Sequence, residues 1–397
     1  MKTALIIGAG VTGLCTAWHL ARMRYGRVIV LDKGGVGDGS SSRAAGISSG
    51  LLWTETGVRA RRHSLRIFRE LSRELPGYTF HNEHGCLNLF NPALWPAREK
   101  LLPLYDRLEA PYQIMDAAEI RRRWPALNPD PDFLGLHDPL GGYSEPAEFL
   151  AALTRRVREL GVEIRESACV EALVTAGGRV TGVRLADGPL AAEAVVAANY
   201  AWILPLLATA GVRLPAKTFV HQRYVSAPLE RPLVIPPVNA DPFGGYVRPA
   251  AGGRLLLGVE TPERDDFKVP GFGFRLGELA APAGLLQATV ERFRRFVPGI
   301  ERLRWESTHV GLLSFSVDGE PIVGPVPGID GLFVGICFHS GGFSYSPASG
   351  LFLARMVAGE PLPIDLTAFA PSRFARDETD RYLAATISQQ QSFRRRH

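Results

Sequence analysis

The first apolar run of the chain, Ala4-Leu5-Ile6-Ile7, breaks at once into glycines, and a helical stretch separates it from a second run, Arg27 to Leu31. Short apolar runs bounded by glycine predict buried parallel strands. Leu65, Phe68, Leu71 and Leu75 recur at helical spacing and predict an amphipathic helix over Val58 to Leu75. From Tyr78 to Tyr143 the pattern is mixed: a strand at Gly85 to Phe90, helices at Trp95 to Leu108 and Ala117 to Arg123, and breaks at Pro125, Pro129 and Pro131. Glu145-Pro146 starts a helix, Ala147 to Leu160, which stops at Gly161 and feeds the strand Val162 to Ile164. Val170 to Thr175 and Val180 to Leu185 read as a pair turned through Gly177-Gly178. The bounded run Ala194 to Ala198 predicts a parallel strand returning to the opening sheet. Strands at Val220 to Ala227, Gly244 to Pro249 and Arg254 to Gly258 follow, with a helix at Pro282 to Phe296. A strand at Leu332 to Ile336 and a helix at Ser346 to Ala358 close the pattern. The chain leaves one sheet and returns to it, so two discontinuous domains are expected: 1–77, 144–214 and 305–397 in one, 78–143 and 215–304 in the other.

Composition narrows the class. The chain has 397 residues, 46% hydrophobic and 21% charged, as in a globular protein with material for two or three domains. The net charge of +5 is spread over helices such as Arg59 to Arg73 and over the terminal Arg394-Arg395-Arg396, which predicts solvated faces and no nucleic-acid partner. Four scattered cysteines, Cys15, Cys86, Cys169 and Cys337, lack metal-ligand spacing, so no metal is expected and a reducing compartment is. No apolar run reaches the length of a membrane span, and Met1-Lys2 leads directly into the first strand. The expected location is cytoplasmic, with Gln389 to Phe393 and the arginines after it frayed.

The chemistry begins at Gly8-Ala9-Gly10-Val11-Thr12-Gly13, set between the first strand and its helix, with Asp32 and Lys33 ending the second strand. Gly8 permits the tight turn, Gly10 has no Cβ to obstruct a pyrophosphate, and Gly13 lets the helix press on the sheet. The helix N-terminus, at Val11 and Thr12, offers N–H groups to phosphate, and Asp32 is placed to accept from ribose hydroxyls. This is a dinucleotide-binding unit.

Three further segments carry a resemblance. They are Gly39-Ser40-Ser41-Ser42-Arg43-Ala44-Ala45-Gly46, Ala197-Ala198-Asn199-Tyr200-Ala201-Trp202, and the pair Gly311-Leu312 to Gly324 with Ser340-Gly341-Gly342-Phe343-Ser344. With the opening turn, they make the chain similar to the D-amino-acid oxidase (DAO) superfamily of flavoproteins, which includes sarcosine oxidase, glycine oxidase and amino-acid dehydrogenases. The resemblance implies an α/β (α+β) fold, with a doubly wound Rossmann-like FAD-binding domain and a β-sheet-rich substrate domain. It also implies FAD contacts from all these segments and from Val170. Ser340-Gly341-Gly342, just before a helix, could turn N–H groups toward the flavin N1–C2=O side, where negative charge collects on reduction.

Departures are informative. Arg43 and Gly311 stand where some members attach flavin through histidine or cysteine, so FAD is expected to be held non-covalently. Leu313 stands where glycine oxidase and some dehydrogenases pair the substrate carboxylate with arginine. Leu256 and Ser344 stand where sarcosine oxidase has lysines, which puts rapid reaction with oxygen in doubt.

The implied reaction is hydride transfer from the C–H beside an amino-acid or secondary-amine nitrogen, N-methyl or cyclic, to flavin N5. No protein base is required for it. His339, Tyr246 and Arg248 are the candidate catalytic groups; the alternatives are a structural histidine capping the loop for His339 and an exposed strand face with a solvated arginine for Tyr246 and Arg248. Tyr246 and Arg248 fall on one face of an alternating strand, where Arg248 could replace the arginine missing at Leu313. Ile47, Ser48, Ser49 and His221 are expected at the substrate pocket. Two rivals stand beside this reading: a 2-hydroxy-acid or polyol-phosphate dehydrogenase of the same superfamily, and the flavin-carrying subunit of a larger complex. The electron acceptor and any homo-oligomer stay open.

Overall fold

In the computed structural model the described residues are 2–259 and 266–385; the terminal segment expected to fray lies outside them. Six strands form the first sheet in the order Ile322–Pro325, Leu332–Ile336, Ala194–Ala197, Thr3–Ile7, Arg27–Leu31, Glu163–Arg165. All pairings are parallel except that between Ile322–Pro325 and Leu332–Ile336. Alternation divides the strands between two cores. Ala4, Ile6, Val28 and Val30 face a layer built from the helices Val11–Arg22, Glu55–Glu74, Pro146–Glu159 and Gly342–Ala358. Leu5, Ile7, Ile29 and Leu31 face the other way. There the cover is the helix Ile203–Ala208 and a three-stranded antiparallel sheet, Ala172–Ala176, Arg179–Leu185 and Gly188–Ala191. The third of those strands carries no apolar run and was not expected.

The second large sheet has eight strands in the order Trp305–Ser316, Ala216–Ser226, Arg254–Val259, Gly245–Ala250, Val238–Ala240, Cys86–Phe90, Leu134–Asp138, Gln113–Asp116. Its apolar face, with Leu87, Leu89, Val238, Val247, Leu255 and Leu257, packs under Phe293 and Phe296. The strand Trp305–Ser316 was assigned above to the dinucleotide-binding portion; it pairs instead along nearly its whole length with Ala216–Ser226. Two long extended segments satisfy each other's backbone groups there, and the chain rejoins the first sheet only at Ile322.

Other differences have local causes. The stretch Trp95 to Leu108 forms two helices, Trp95–Glu99 and Leu102–Arg107, because Pro103 lacks the N–H needed to continue the first and suits the start of the second. The helix expected over Pro282 to Phe296 is Leu285–Phe293, entered through Gly284 in the left-handed region at φ 73°. The helix expected from Ser346 begins at Gly342. Pro347 is accommodated inside it because the Ser346 hydroxyl donates at 2.7 Å to the Phe343 carbonyl, which Pro347 cannot serve.

Candidate active site

The dinucleotide turn is built as its residues require. Gly8 has φ 108°, and a Cβ at Gly13 would lie 1.9 Å from the Gly8 carbonyl oxygen, so the helix rests directly on the turn. Asp32 braces that turn by accepting from the N–H of Ala9 at 2.7 Å and of Gly34 at 2.8 Å. Burial holds its carboxyl above the usual range, against the pull of these two N–H groups. Each carboxylate oxygen keeps a lone pair for a hydroxyl. The Val11 N–H donates to Ser41 Oγ at 3.0 Å, while Gly10 at the N-cap has no side chain to offer and the first turn has no acidic residue. Lys33 lies 4.0 Å from the Trp202 ring centroid and donates to the carbonyls of Phe272 and Phe274. A segment with no periodic signal in the sequence is thereby drawn over this end of the cavity.

The loop 39–46 is gripped from the eight-stranded sheet. Arg223 donates from Nε to the Arg43 carbonyl at 2.9 Å and from Nη2 to the Ser42 carbonyl at 3.0 Å. Arg248 donates from Nε to the Ala45 carbonyl at 2.5 Å and pairs with Glu145 at 2.7 and 3.1 Å. Burial would raise the Glu145 carboxyl, but Arg248 and the Ala251 N–H bring it below the usual range. Burial, with Arg248 nearby, lowers the Arg223 guanidinium to about 10. Arg248 is fully buried and is not on the cavity wall, so its placement as a substrate-carboxylate partner is corrected. Its fork is already filled by Glu145 and main-chain oxygens, and the solvated-arginine alternative fails equally. Leu256 is its cross-strand partner and is likewise off the wall.

The other face of this sheet carries one cross-strand row: Asn88, Asn239, Tyr246, Gly258, Arg223 and His309 are successive partners across six strands. Polar residues line up because each strand alternates with the apolar face beneath. The Tyr246 ring lies across Gly258, where a Cβ would come within 2.1 Å of it, and its hydroxyl meets His221 Nε2 at 3.0 Å. His309 is kept neutral, its pKa lowered to about 4 by burial and by Arg223 and Arg43.

The third wall is the turn ahead of the helix Gly342–Ala358, which also starts without a capping side chain or an early acidic residue. Tyr200, Cys337 and His339 adopt left-handed φ values of 53°, 59° and 55°, which are uncommon for residues with a Cβ. All three converge on Ser314: its N–H donates to Tyr200 Oη at 2.8 Å, its hydroxyl accepts from Cys337 N at 3.1 Å, and its carbonyl accepts from His339 N at 3.0 Å. Ser48 donates to Ser344 Oγ at 2.9 Å, and Ser49 donates to Asp138 at 3.1 Å.

These three walls enclose a single cavity of about 290 Å³. On it lie Gly8, Gly10, Val11, Thr12, Asp32, Lys33, Ser41, Arg43, Ala44, Ala45, Gly46, Ile47 and Val170. Asn199, Trp202, His221, Tyr246, Gly311, His339, Ser340, Gly342, Phe343 and Ser344 are the other expected residues on it. Gly13, Ser42, Gly341, Ser48, Ser49 and Arg248 stand behind the wall and support it. Sequence reasoning missed Asn239 and the covering residues Phe272, Gly273, Arg275 and Leu276, all on the wall. The only signal for Asn239 was a polar residue between Val238 and Ala240.

The residues present fit FAD. Asn199 Oδ1 and Trp202 Nε1 are buried on this wall without a hydrogen-bond partner among the described residues, and two helix N-termini with no acidic residue in their first turn end there. Donors for phosphate and an acceptor for ribose lie at one end, with a second N-terminus at the other.

The comparisons agree with this geometry. The family described as DAO, FAD dependent oxidoreductase, matches residues 3–356, and the chain belongs to it. It is therefore an FAD-dependent oxidoreductase. It is 29% identical over 383 residues to glycine oxidase of Pseudomonas putida, covering 93% of this chain and 98% of that one. It is 26% identical over 396 residues to 4-methylaminobutanoate oxidase (formaldehyde-forming) of Paenarthrobacter nicotinovorans; the match covers 96% of this chain but only 47%, about half, of that protein's length. The L-proline dehydrogenase structure from P. horikoshii shares the fold with a TM-score of 0.84 at 22% identity, covering 95% and 98% of the two chains.

A Cβ at Gly10 would lie 2.8 Å from Ser41 Oγ, at the mouth of the helix N-terminus. Gly10→Val should therefore give a folded protein without FAD, read from the 450 nm absorbance (roughly where flavins absorb) of the purified variant. A soluble variant that keeps its colour would contradict the placement of the cofactor.

Proposed function

We propose that this chain oxidises the C–N bond of an amino acid or of a secondary amine, N-methyl or cyclic. The observation that carries the reading is the cavity wall opposite the dinucleotide turn, where Asn239, Tyr246 and His221 stand beside Leu313 and Ile47. These groups can orient a small polar molecule among apolar neighbours. The relatives quoted support it: their names describe enzymes acting on glycine and on a methylamino acid, and none is a hydroxy-acid or polyol-phosphate enzyme. FAD, when bound, supplies the acceptor for a hydride from the C–H beside nitrogen. The chain's own work is to exclude water and hold that C–H in line, which requires no protein base. Tyr246 and His339 are the side chains we place against the substrate. Non-covalent attachment follows from Arg43 and Gly311, neither of which can bond to the flavin ring.

Among the described residues no helix is long and apolar enough to cross a membrane, and Cys15, Cys86, Cys169 and Cys337 are all free thiols. We place the protein in the cytoplasm. Two discontinuous domains, one around each large sheet, are our reading of its organisation, with Trp305–Ser316 counted in the second.

Leu256 is buried, apolar and off the wall, and Arg248 beside it is held by Glu145, so neither position brings a free cation to the cavity, and we assign the electrons to an acceptor other than oxygen, a dye or quinone or a partner subunit. Removing one electrostatic contact of this kind costs about 3–4 kcal/mol, or roughly a hundred- to a thousandfold in rate. Anaerobic mixing with amino acids, N-methyl amino acids and 2-hydroxy acids should bleach the flavin with the amines alone. The reduced protein, mixed with air-saturated buffer in a stopped flow, should then reoxidise far more slowly than with a quinone. Bleaching by hydroxy acids alone would overturn the substrate class, and reoxidation in air as fast as turnover would make the protein an oxidase.

A further inference from the structure

Asn239 has an amide whose orientation is dictated from behind the wall. Asn88 Nδ2 donates to the main-chain carbonyl of Leu136 at 3.2 Å, an oxygen that can only accept. The same NH2 group lies 3.5 Å from Ser49 Oγ, which also takes the Leu51 N–H at 3.2 Å and gives its own proton to Asp138. The NH2 end of Asn88 is thereby fixed, and its Oδ1 must face Asn239. Asn239 answers with Nδ2 at 2.9 Å. Its Oδ1 is the end left to the cavity and accepts nothing from the described residues. Asn239 is 4% exposed, so turning the amide over would set two oxygens against each other with little water to separate them. The cavity therefore carries a permanent acceptor, next to Tyr246 in the adjoining strand.

We propose that Asn239 is the residue that reads the substrate nitrogen: its Oδ1 accepts the amine N–H, and Asn88 is the positioning residue that keeps that oxygen turned inward. The inference rests on the amine reading above and names its recognition element. The electron balance explains why an acceptor suits this place. The C–H hydrogen leaves with both bonding electrons to the cofactor, the nitrogen lone pair becomes the second bond of C=N, and the N–H proton stays on nitrogen. Nitrogen gains positive charge as this happens, so a hydrogen bond from it to Oδ1 strengthens toward the transition state. A hydroxy acid would instead have to lose its O–H proton, and a carbonyl oxygen is a poor base for it.

The test uses the FAD-loaded protein with two pairs of probes, N-methylglycine against methylthioacetate and proline against tetrahydrothiophene-2-carboxylate, in which sulfur replaces N–H. Binding is read from the flavin spectrum and reduction from anaerobic bleaching. Asn239→Leu should weaken amine binding about ten- to a hundredfold and slow bleaching at saturation, while the thioethers bind as they do to the wild type. Asn88→Leu should give a smaller loss of the same kind and none on top of Asn239→Leu. Should Asn239→Leu fail to retain FAD, Asn239→Ala and Asn88→Leu carry the same comparison. Equal loss for amines and thioethers, or no loss for the amines, would overturn the role of Asn239 while leaving the amine reading standing. Wild-type flavin that no amine bleaches would instead remove the reading on which the proposal rests.

Discussion

Two buried arginines from the eight-stranded sheet hold the loop against which a flavin would lie, and the shape of the cavity depends on that grip. Arg223 and Arg248 are 6% and 0% exposed, so each carries its charge out of water at a large cost. One carboxylate, Glu145, pairs with Arg248 and acts on the charge of Arg223 from a distance. The rest of the compensation comes from the carbonyls of Ser42, Arg43, Ala45 and Pro249, which a planar fork can collect two at a time. Carbonyls turned toward these guanidinium groups fix the course of residues 42–45, and with it which side chains reach the wall. The eight-stranded sheet is thus joined to the loop 39–46 by charge-assisted hydrogen bonds.

The same sheet supplies recognition. Its apolar face is a conventional core, and its other face presents Asn88, Asn239, Tyr246, Gly258, Arg223 and His309 in a single row. Part of the row is consumed in holding the loop, and part faces the cavity. Gly258 lets the Tyr246 ring lie down along the sheet and reach His221. Opposite stands the turn at residues 337–342, whose unusual backbone is fastened to Ser314. Two sheets and two helix N-termini therefore converge on one enclosed volume.

Much of this was legible in the sequence because it is local. The glycine turn, Asp32 and the apolar strand runs are read from neighbours, and the structure places them as their spacing implies. Gly8, Gly10 and Asp32 all line the cavity. What could not be read depends on partners far apart in the chain. The alternation that puts Arg248 on the face of Tyr246 was correct, yet its carboxylate, Glu145, lies 103 residues away and looked like an ordinary helix start. Trp305–Ser316 carries no mark of which sheet it joins. Asn239 gains its meaning only from Asn88, in a strand 151 residues earlier. The segment from Phe272 to Leu276 has no periodicity and is held in place by Lys33 and aromatic contacts.

The grip on the loop is tested most directly by the FAD affinity of Arg223→Met. This variant keeps the buried aliphatic stem and removes the charged guanidinium, and with it the donors to the Ser42 and Arg43 carbonyls. Two charge-assisted hydrogen bonds between sheet and loop are lost, so the FAD dissociation constant, measured by fluorescence quenching on the apoprotein, should rise at least about tenfold with the circular dichroism unchanged. A folded variant that binds FAD as tightly as the wild type would contradict the account.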